Sequence, residues 1–533
     1  MRKKTVARMM SAVITGSMII SLAACGSSSA PAAESAPVES AAASTEAETT
    51  EETTNAEPLE FSYYGPIWKP YQESTPIFDE LMKRTNTTID FEWVSNDALE
   101  TQLASKVASG DLPDVISGGT SAAPGIQDLI KQGVIVPITD YLEKDMPNYV
   151  RFLEGNDYLT LTNYEDGEIY GFGLVMDVPP AFSTAIRTDW LEKLNLEMPK
   201  TWEDWVTVWK AFAKEDANGN GDPNDEVPFA VSHQFFKFVL NMFGMQSNGE
   251  FSVVDGEYLY DPENPNYEKF LDSMRELYAE GILPKEFVTL EGADFNTLGA
   301  SNTLGSYVGY AEYSKNYTIS CRELDEDAFY QCVVPIPGPD GAQNIPARAK
   351  VSSTTYSTVK ALQEGKLERI LQFFDYVYSD EGIELTNYGI EGTNFKMVDN
   401  KPTLVPPYNE SFAVARENGL IPSTIPFCFT EDVYMQILMG GVTYDELEDS
   451  GQTFIDGMTI NEPYYYDEPP VIQTEAYADH FDLLEQQVAL RDKYIMGQIS
   501  KDDYNSGYEK LKQGGLNNVI EQGKEAYQKI SAQ

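Results

Sequence analysis

The 533-residue chain carries 85 acidic against 37 basic residues, a formal net charge of −48, and 42% of its residues are hydrophobic. Such a balance argues against nucleic acid and against direct adhesion to anionic lipid, because phosphate surfaces need a basic face. It suits a protein kept soluble outside the cell, with recognition of a cationic ligand as the less favoured reading, and two histidines, His233 and His480, leave little room for a His-based zinc site or a Ser-His-Asp hydrolase.

At the N-terminus, Arg2, Lys3, Lys4 and Arg8 precede the apolar run "VITGSMIISLAAC". The run is too short to stay in a bilayer as a mature helix and ends in small residues, as a secretory signal does. Leu22-Ala23-Ala24-Cys25 followed by Gly26 resembles a bacterial lipobox. Cleavage before Cys25 would leave 1–24 as the signal and make Cys25 the acylated first residue, anchored at the outer membrane face by lipid. From Gly26 to Glu57 the composition is mostly Ser, Ala, Thr, Glu and Pro, with no Lys, Arg or aromatic residue. Residues 25–57 therefore read as a disordered acidic tether, unable to bury enough apolar surface to offset the entropy of ordering.

About 475 residues follow, enough for two lobes around separate cores. "LEFSYYG" alternates as a strand, a helical stretch runs from Pro76 to Arg84, and "TTIDFEWV" alternates again, which predicts a parallel βαβ unit. A helix through Leu99, Leu103 and Val107 stops at Gly110, a short buried strand follows around Val115, and a glycine-rich loop opens at Ser117. Ligands of parallel sheets sit beyond the carboxyl ends of strands, so the loops after Tyr64 and after Ile116 are candidate binding edges.

Thr201 with Asp204 forms a plausible capping box, and the helix it opens runs into "DANGNGDPNDE". Asp216, Asn218 and Asn220 alternate, Gly221 follows, and Asp225 and Glu226 close the loop. That is the spacing of an EF-hand-like calcium loop, with Asp222 offering its backbone carbonyl, although an EF-hand closes on a glutamate one position later than Glu226. An Asn-Gly turn without metal is the alternative. Further on, "PIPGPDG" reads as a rigid turn. Apart from Cys25 the cysteines are Cys321, Cys332 and Cys428; one bridge is possible, most readily Cys321 to Cys332.

"LASKVASGDLPDVISGG", "IRTDWLEKLNLEMPKTWEDW", the Asp-Asn-Asn loop, "VVPIPGPDG", "LQFFDYVYSDEGIELTNYGIEGTNF" and "DKYIMGQISKDDYNSGYEKLKQGGLNNVI" succeed one another. In this order they resemble bacterial extracellular solute-binding proteins of family 1, in the large carbohydrate-type ABC-importer lipoprotein branch. The likeness departs at the end of the calcium loop and over residues 401–470.

The resemblance implies an α/β fold of the type II periplasmic-binding-protein kind, two lobes joined by a hinge with an interlobe cleft. Its domains would be 58–180 and 350–395 for the N-lobe, and 181–349 and 396–533 for the C-lobe, with crossings near 175–185, near 348–357 and after "YGIEG". It implies a structural calcium held by Asp216, Asn218, Asn220, Asp222, Asp225 and Glu226, and a cleft near Tyr64, Trp68, Thr120, Tyr310, Tyr388 and Glu391. It further implies a lipid-anchored, monomeric receptor on the extracellular face of the cell membrane. Such a receptor would pass a solute, expected to be an oligosaccharide, to the transmembrane subunits of an ABC permease, with no catalysis of its own. The alternative is a surface lipoprotein glycan hydrolase using two of the 85 acidic residues as a carboxylate pair.

Overall fold

The computed structural model describes residues 57–66, 75–95, 98–118, 124–153, 161, 164, 166–178, 181–347, 350–422, 425–442 and 444–531. The signal segment, Cys25, the tether up to Ala56, Trp68 and Thr120 lie outside the described residues. No helix among the described residues is long and apolar enough to cross a membrane.

The principal strands are β1 (Leu59–Pro66), β2 (Thr87–Val94), β3 (Val115–Ser117), β4 (Gly171–Phe172), β5 (Phe182–Arg187), β6 (Ala230–Val231), β7 (Ser306–Tyr310), β8 (Tyr330–Val333) and β9 (Thr355–Ser357). They form a five-stranded N-lobe sheet ordered β2-β1-β3-β9-β4 and a four-stranded C-lobe sheet ordered β8-β5-β7-β6. β1 runs parallel to β2 and to β3, with Tyr63 opposite both Phe91 and Val115. This is the arrangement expected for a strand–helix–strand segment.

Local chemistry explains the elements between them. The helix Pro76–Thr85 starts because Thr75 Oγ1 accepts the Phe78 amide at 3.2 Å and proline sits in the first turn. Leu99–Ser109 ends where Gly110 turns left-handed at φ +77°. Thr201 and Asp204 make the reciprocal capping box of helix Trp202–Phe212, the Asp204 amide donating to Thr201 Oγ1 at 3.2 Å and the Thr201 amide to Asp204 Oδ2 at 3.0 Å. That helix buries Trp205, Trp209 and Phe212 in the C-lobe core beside Trp190. The Trp190 ring lies 5.1 Å from Phe212, with the Arg187 guanidinium 4.8 Å over it, so the indole is a packing residue.

Two expectations are corrected. Cys321, Cys332 and Cys428 are all free and buried. Cys321 Sγ donates to Gly299 O at 3.4 Å and Cys332 Sγ to Ala311 O at 3.8 Å, so the possible Cys321–Cys332 bridge is not formed. The N-lobe also extends past residue 395. The hairpin Phe395–Val398/Lys401–Leu404 and the helix Glu431–Leu438 are tied together by Gln436, whose Oε1 accepts the Leu404 amide at 2.9 Å. The helix joins helix Asp380–Tyr388 through the Tyr388 hydroxyl on Asp432, and the chain before it joins through Asn387, whose amide donates to Cys428 O at 2.8 Å, and through the Ile421 amide on Thr386 O at 2.8 Å. The chain reaches the C-lobe with helix Asp449–Ile460, where Thr453 Oγ1 accepts the Cys332 amide of β8 at 2.9 Å.

Three segments meet where the lobes join. Thr354 N donates to Phe172 O at 3.1 Å, Ser352 N to Leu174 O at 3.2 Å and Met176 N to Lys350 O at 2.7 Å, pairing 172–176 with 350–354. The strand Cys428–Thr430 then lies parallel to Val175–Asp177. This close approach requires glycine at Gly173: a Cβ there would fall 2.5 Å from Ser352 O.

Candidate functional site

The edge of each sheet from which the crossing segments depart must face the other lobe. In the N-lobe this edge holds the carboxyl ends of β1, β2 and β3 together with Phe172 and Thr355, which are paired with each other in register. In the C-lobe it holds the amino end of β5 and the carboxyl ends of β6, β7 and β8, because Phe182 is opposite Tyr310 and Val333 opposite Thr184.

On the C-lobe side these ends present an aromatic wall. Phe182 and Tyr310 are stacked, with centroids 5.2 Å apart and planes 20° from parallel, and both are half-buried. Phe235 meets the Tyr310 ring edge-on at 5.0 Å and stacks on Phe238 at 5.4 Å, while Tyr313 meets Tyr310 at 5.5 Å. On the N-lobe side the half-buried Trp93 stacks on Phe91 at 4.8 Å near the carboxyl end of β2. Half-exposed rings backed by buried ones form a rigid apolar face able to lie against the apolar side of a ring-shaped solute. The basic groups near the C-lobe edge are paired: His233 Nδ1 lies 3.2 Å from a Glu291 oxygen and Lys237 is bridged to Glu468.

Among the six expected cleft residues, Tyr310 lies on this wall. Tyr64 does not: it is 0% exposed, and its hydroxyl donates to Leu99 O at 3.1 Å, which makes it a core residue of the N-lobe. Alternation sends Tyr64 to one face of β1 under the helix Leu99–Ser109, so nearness to the strand end does not bring it to the edge. Tyr388 is also buried, its hydroxyl donating to Asp432 beneath the hairpin 395–404. Glu391 is exposed on the turn bridged to Phe395. Trp68 and Thr120 lie outside the described residues. Phe182, Phe235, Tyr313 and Trp93 are absent from the sequence expectation. The signal that points to Phe182 is its place just after Pro179-Pro180, at the start of the strand Phe182–Arg187.

The loop after helix Trp202–Phe212 brings all six expected metal residues into one turn. Gly219 and Gly221 adopt φ +76° and +95°, which lets the chain fold back. Asn218 Oδ1 accepts the Asn220 amide at 2.9 Å, Asn220 Oδ1 accepts the Asp222 amide at 2.8 Å, and Asp216 Oδ2 accepts the Gly221 amide at 3.0 Å. Asp225 receives the side-chain amides of Asn218 at 3.1 Å and Asn220 at 2.6 Å. Asp216 Oδ1 and Glu226 Oε2 are buried and have no hydrogen-bond partner, and burial, with Asp225 nearby, raises the Glu226 carboxyl above its ordinary range. Two unpartnered buried carboxylate oxygens in an oxygen-lined turn suit a hard cation. No three His, Cys, Asp or Glu side chains among the described residues meet as a metal cluster by themselves, so a cation here depends on Asn and backbone oxygens as well.

The family described as bacterial extracellular solute-binding proteins matches residues 68–384. The fructooligosaccharide ABC transporter substrate-binding protein FusA of Streptococcus pneumoniae serotype 4 is 29% identical over 331 residues, 59% of this chain. The matched part spans 60% of FusA, less than two thirds of its length. The polygalacturonan/rhamnogalacturonan-binding protein YtcQ of Bacillus subtilis is 24% identical over 84% of this chain and 87% of its own. In three dimensions the alginate-binding protein AlgQ2, crystallised without calcium ion, superposes with a TM-score of 0.68 at 22% identity, covering 89% of this chain and 98% of that one.

Proposed function

Given that the chain belongs to the bacterial extracellular solute-binding proteins, we propose that it is the receptor of an ABC importer, capturing an oligosaccharide between its lobes and presenting it to the permease. The observation that carries this reading is the aromatic wall of Phe182 and Tyr310 on the edge that faces the other lobe. Sugar rings offer apolar C–H faces to such a surface and hydroxyls to the polar groups around it. Relatives named for fructooligosaccharides and for polygalacturonan and rhamnogalacturonan support the solute class.

Solute that touches both edges favours the closed arrangement by its contacts there, and motion about the segments 172–176, 350–354 and 428–430 supplies the closure. In this reading the loop Asp216–Glu226 holds calcium as a structural brace, pinning the exit of helix Trp202–Phe212 to the start of β6; calcium supplies charge compensation and takes no part in chemistry.

A panel of labelled oligosaccharides tests the proposal. Saturable binding with the sugar recovered intact is the expected result, together with a smaller radius of gyration in solution scattering at saturation. Shortened sugar products would establish the glycan hydrolase instead.

In this reading the protein works as a monomer held at the outer face of the membrane by a lipid, and the lipobox-like "LAACG" supports the anchor. Because Cys25 carries the only thiol of "LAACG", Cys25→Ala is expected to abolish metabolic labelling with a palmitate analogue and to release or misprocess the protein. Unchanged labelling in the membrane fraction would refute the anchor.

A further inference from the structure

Outside the cleft and the cation loop, the C-lobe sets a buried carboxyl, Asp261, beside a half-buried one, Glu250, with no ion pair of their own among the described residues. Asp261 opens the single turn Asp261–Glu263 after the hairpin Phe251–Val254/Glu257–Tyr260 and is 2% exposed. Its Oδ2 accepts from the Ser247 hydroxyl, and its Oδ1 is buried without a partner. Glu250 lines the same cavity of about 10 Å³, room for one water molecule, and accepts from the Tyr477 hydroxyl at 3.1 Å. Arg491 also lines the cavity, but its Nε donates to Asp492 at 2.8 Å and its guanidinium lies 4.5 Å over the Phe236 ring.

The other titratable groups facing the pair are phenols, Tyr258 and Tyr260 on the hairpin, Tyr267, Tyr466 and Tyr477, each raised by burial and therefore neutral. Burial pushes the carboxyls of Asp261 and Glu250 each up to about 7.

This pair is connected to the hinge. The Tyr466 hydroxyl donates to Ser247 O at 2.8 Å, with Asn241 Oδ1 2.9 Å away. Tyr465–Tyr466 pairs with Ile345–Pro346, and Tyr466 O accepts the Ala347 amide at 2.9 Å, three residues before the crossing segment begins at Lys350. A hydrogen-bonded path therefore runs from Asp261 through Ser247 and Tyr466 to the C-lobe end of the second crossing.

We propose that Asp261 and Glu250 form a proton-holding acid pair that secures the C-lobe end of the second hinge crossing and loosens it when the surroundings turn alkaline. A proton on Asp261 removes charge from a buried carboxyl, because burial outweighs the help that the Ser247 and Ser252 hydroxyls give its ionised form. Loss of the protons leaves like charges on Asp261 and Glu250, and their repulsion pushes the Glu250 end of the 247–250 segment away from the Asp261–Glu263 turn and tilts Ser247 O away from Tyr466. The sign follows from linkage. Between the ordinary carboxylate range and about 7 the folded protein holds more protons than the unfolded chain; stability therefore falls as pH rises through that window and levels off above it.

Hydrogen–deuterium exchange on the full chain at pH 6 and pH 8, corrected for intrinsic rates, tests this at the peptide containing Ala347. Protection there is expected to drop about tenfold at pH 8, the equivalent of about one pKa unit. Asp261→Asn, whose amide oxygen still accepts from Ser247, is expected to erase that difference, and Glu250→Gln serves if the first variant does not fold. Equal protection at both pH values in the parent protein, or the same drop in the folded variant, would overturn the proposal.

Discussion

Chelation of calcium is expected to lower the melting temperature by roughly 5–10 °C. A cation that binds only the folded loop at about a hundred times its dissociation constant contributes ~2.7 kcal/mol, and each kcal/mol moves the midpoint of a lobe of this size by roughly 2–4 °C. Loss of the ion leaves Asp216, Asp225 and Glu226 in one turn with unpartnered oxygens on Asp216 and Glu226. Asp216→Ala should reproduce the chelator's effect and be insensitive to added calcium. Oligosaccharide affinity, measured at a temperature where the metal-free protein is folded, should change little, because the loop follows helix Trp202–Phe212 and supplies no residue to the aromatic wall. An unchanged melting curve, with no metal found by elemental analysis, would make the loop a turn braced by its own amides. Loss of sugar binding at low temperature would place the ion in the solute site.

Truncation of the aromatic wall should act in the opposite way, on affinity and little on stability. Phe182→Ala or Tyr310→Ala removes a half-buried ring. At ~25 cal/mol per Å² over about 80 Å² of ring face, each costs ~2 kcal/mol of binding, or about thirtyfold in Kd. Tyr310→Phe, which keeps the ring, should retain most of the affinity. Tyr64→Ala is the informative contrast: its ring is fully buried, so it should destabilise the N-lobe and leave the affinity of the surviving folded fraction close to that of the parent. Unaltered affinity in both wall variants, for a sugar that saturates the parent, would move the site away from this edge.

Much of the architecture is legible in local chemistry. The alternation of "LEFSYYG" and "TTIDFEWV" around a capped helix, the stop at Gly110 and the Thr201–Asp204 box each depend on residues close together in the chain, and each appears in the structure as the sequence leads one to expect. The turn of "DANGNGDPNDE" belongs with these, since its hydrogen bonds join residues close together in the chain; that it holds a cation is the proposal which chelation tests.

Tertiary structure decided the rest. Whether Tyr64 or Trp93 reaches the cleft-facing edge depends on which face of the sheet is covered by a helix, and that cannot be read from a strand alone: Tyr64 lies beneath Leu99, and Trp93 stays half-buried on an edge strand. Phe182 and Tyr310 stand more than a hundred residues apart and become one surface only through the antiparallel register of β5 and β7. Cys321 and Cys332 are near in sequence but engage the carbonyls of Gly299 and Ala311 instead of one another. Residues 395–438 join the N-lobe through the buried Asn387, a contact formed by a side chain and a backbone some forty residues apart. Motifs complete within one turn are determined by the sequence because their partners are always within reach, whereas an aromatic wall and a lobe boundary require strand register and packing between distant segments, which only the assembled fold supplies.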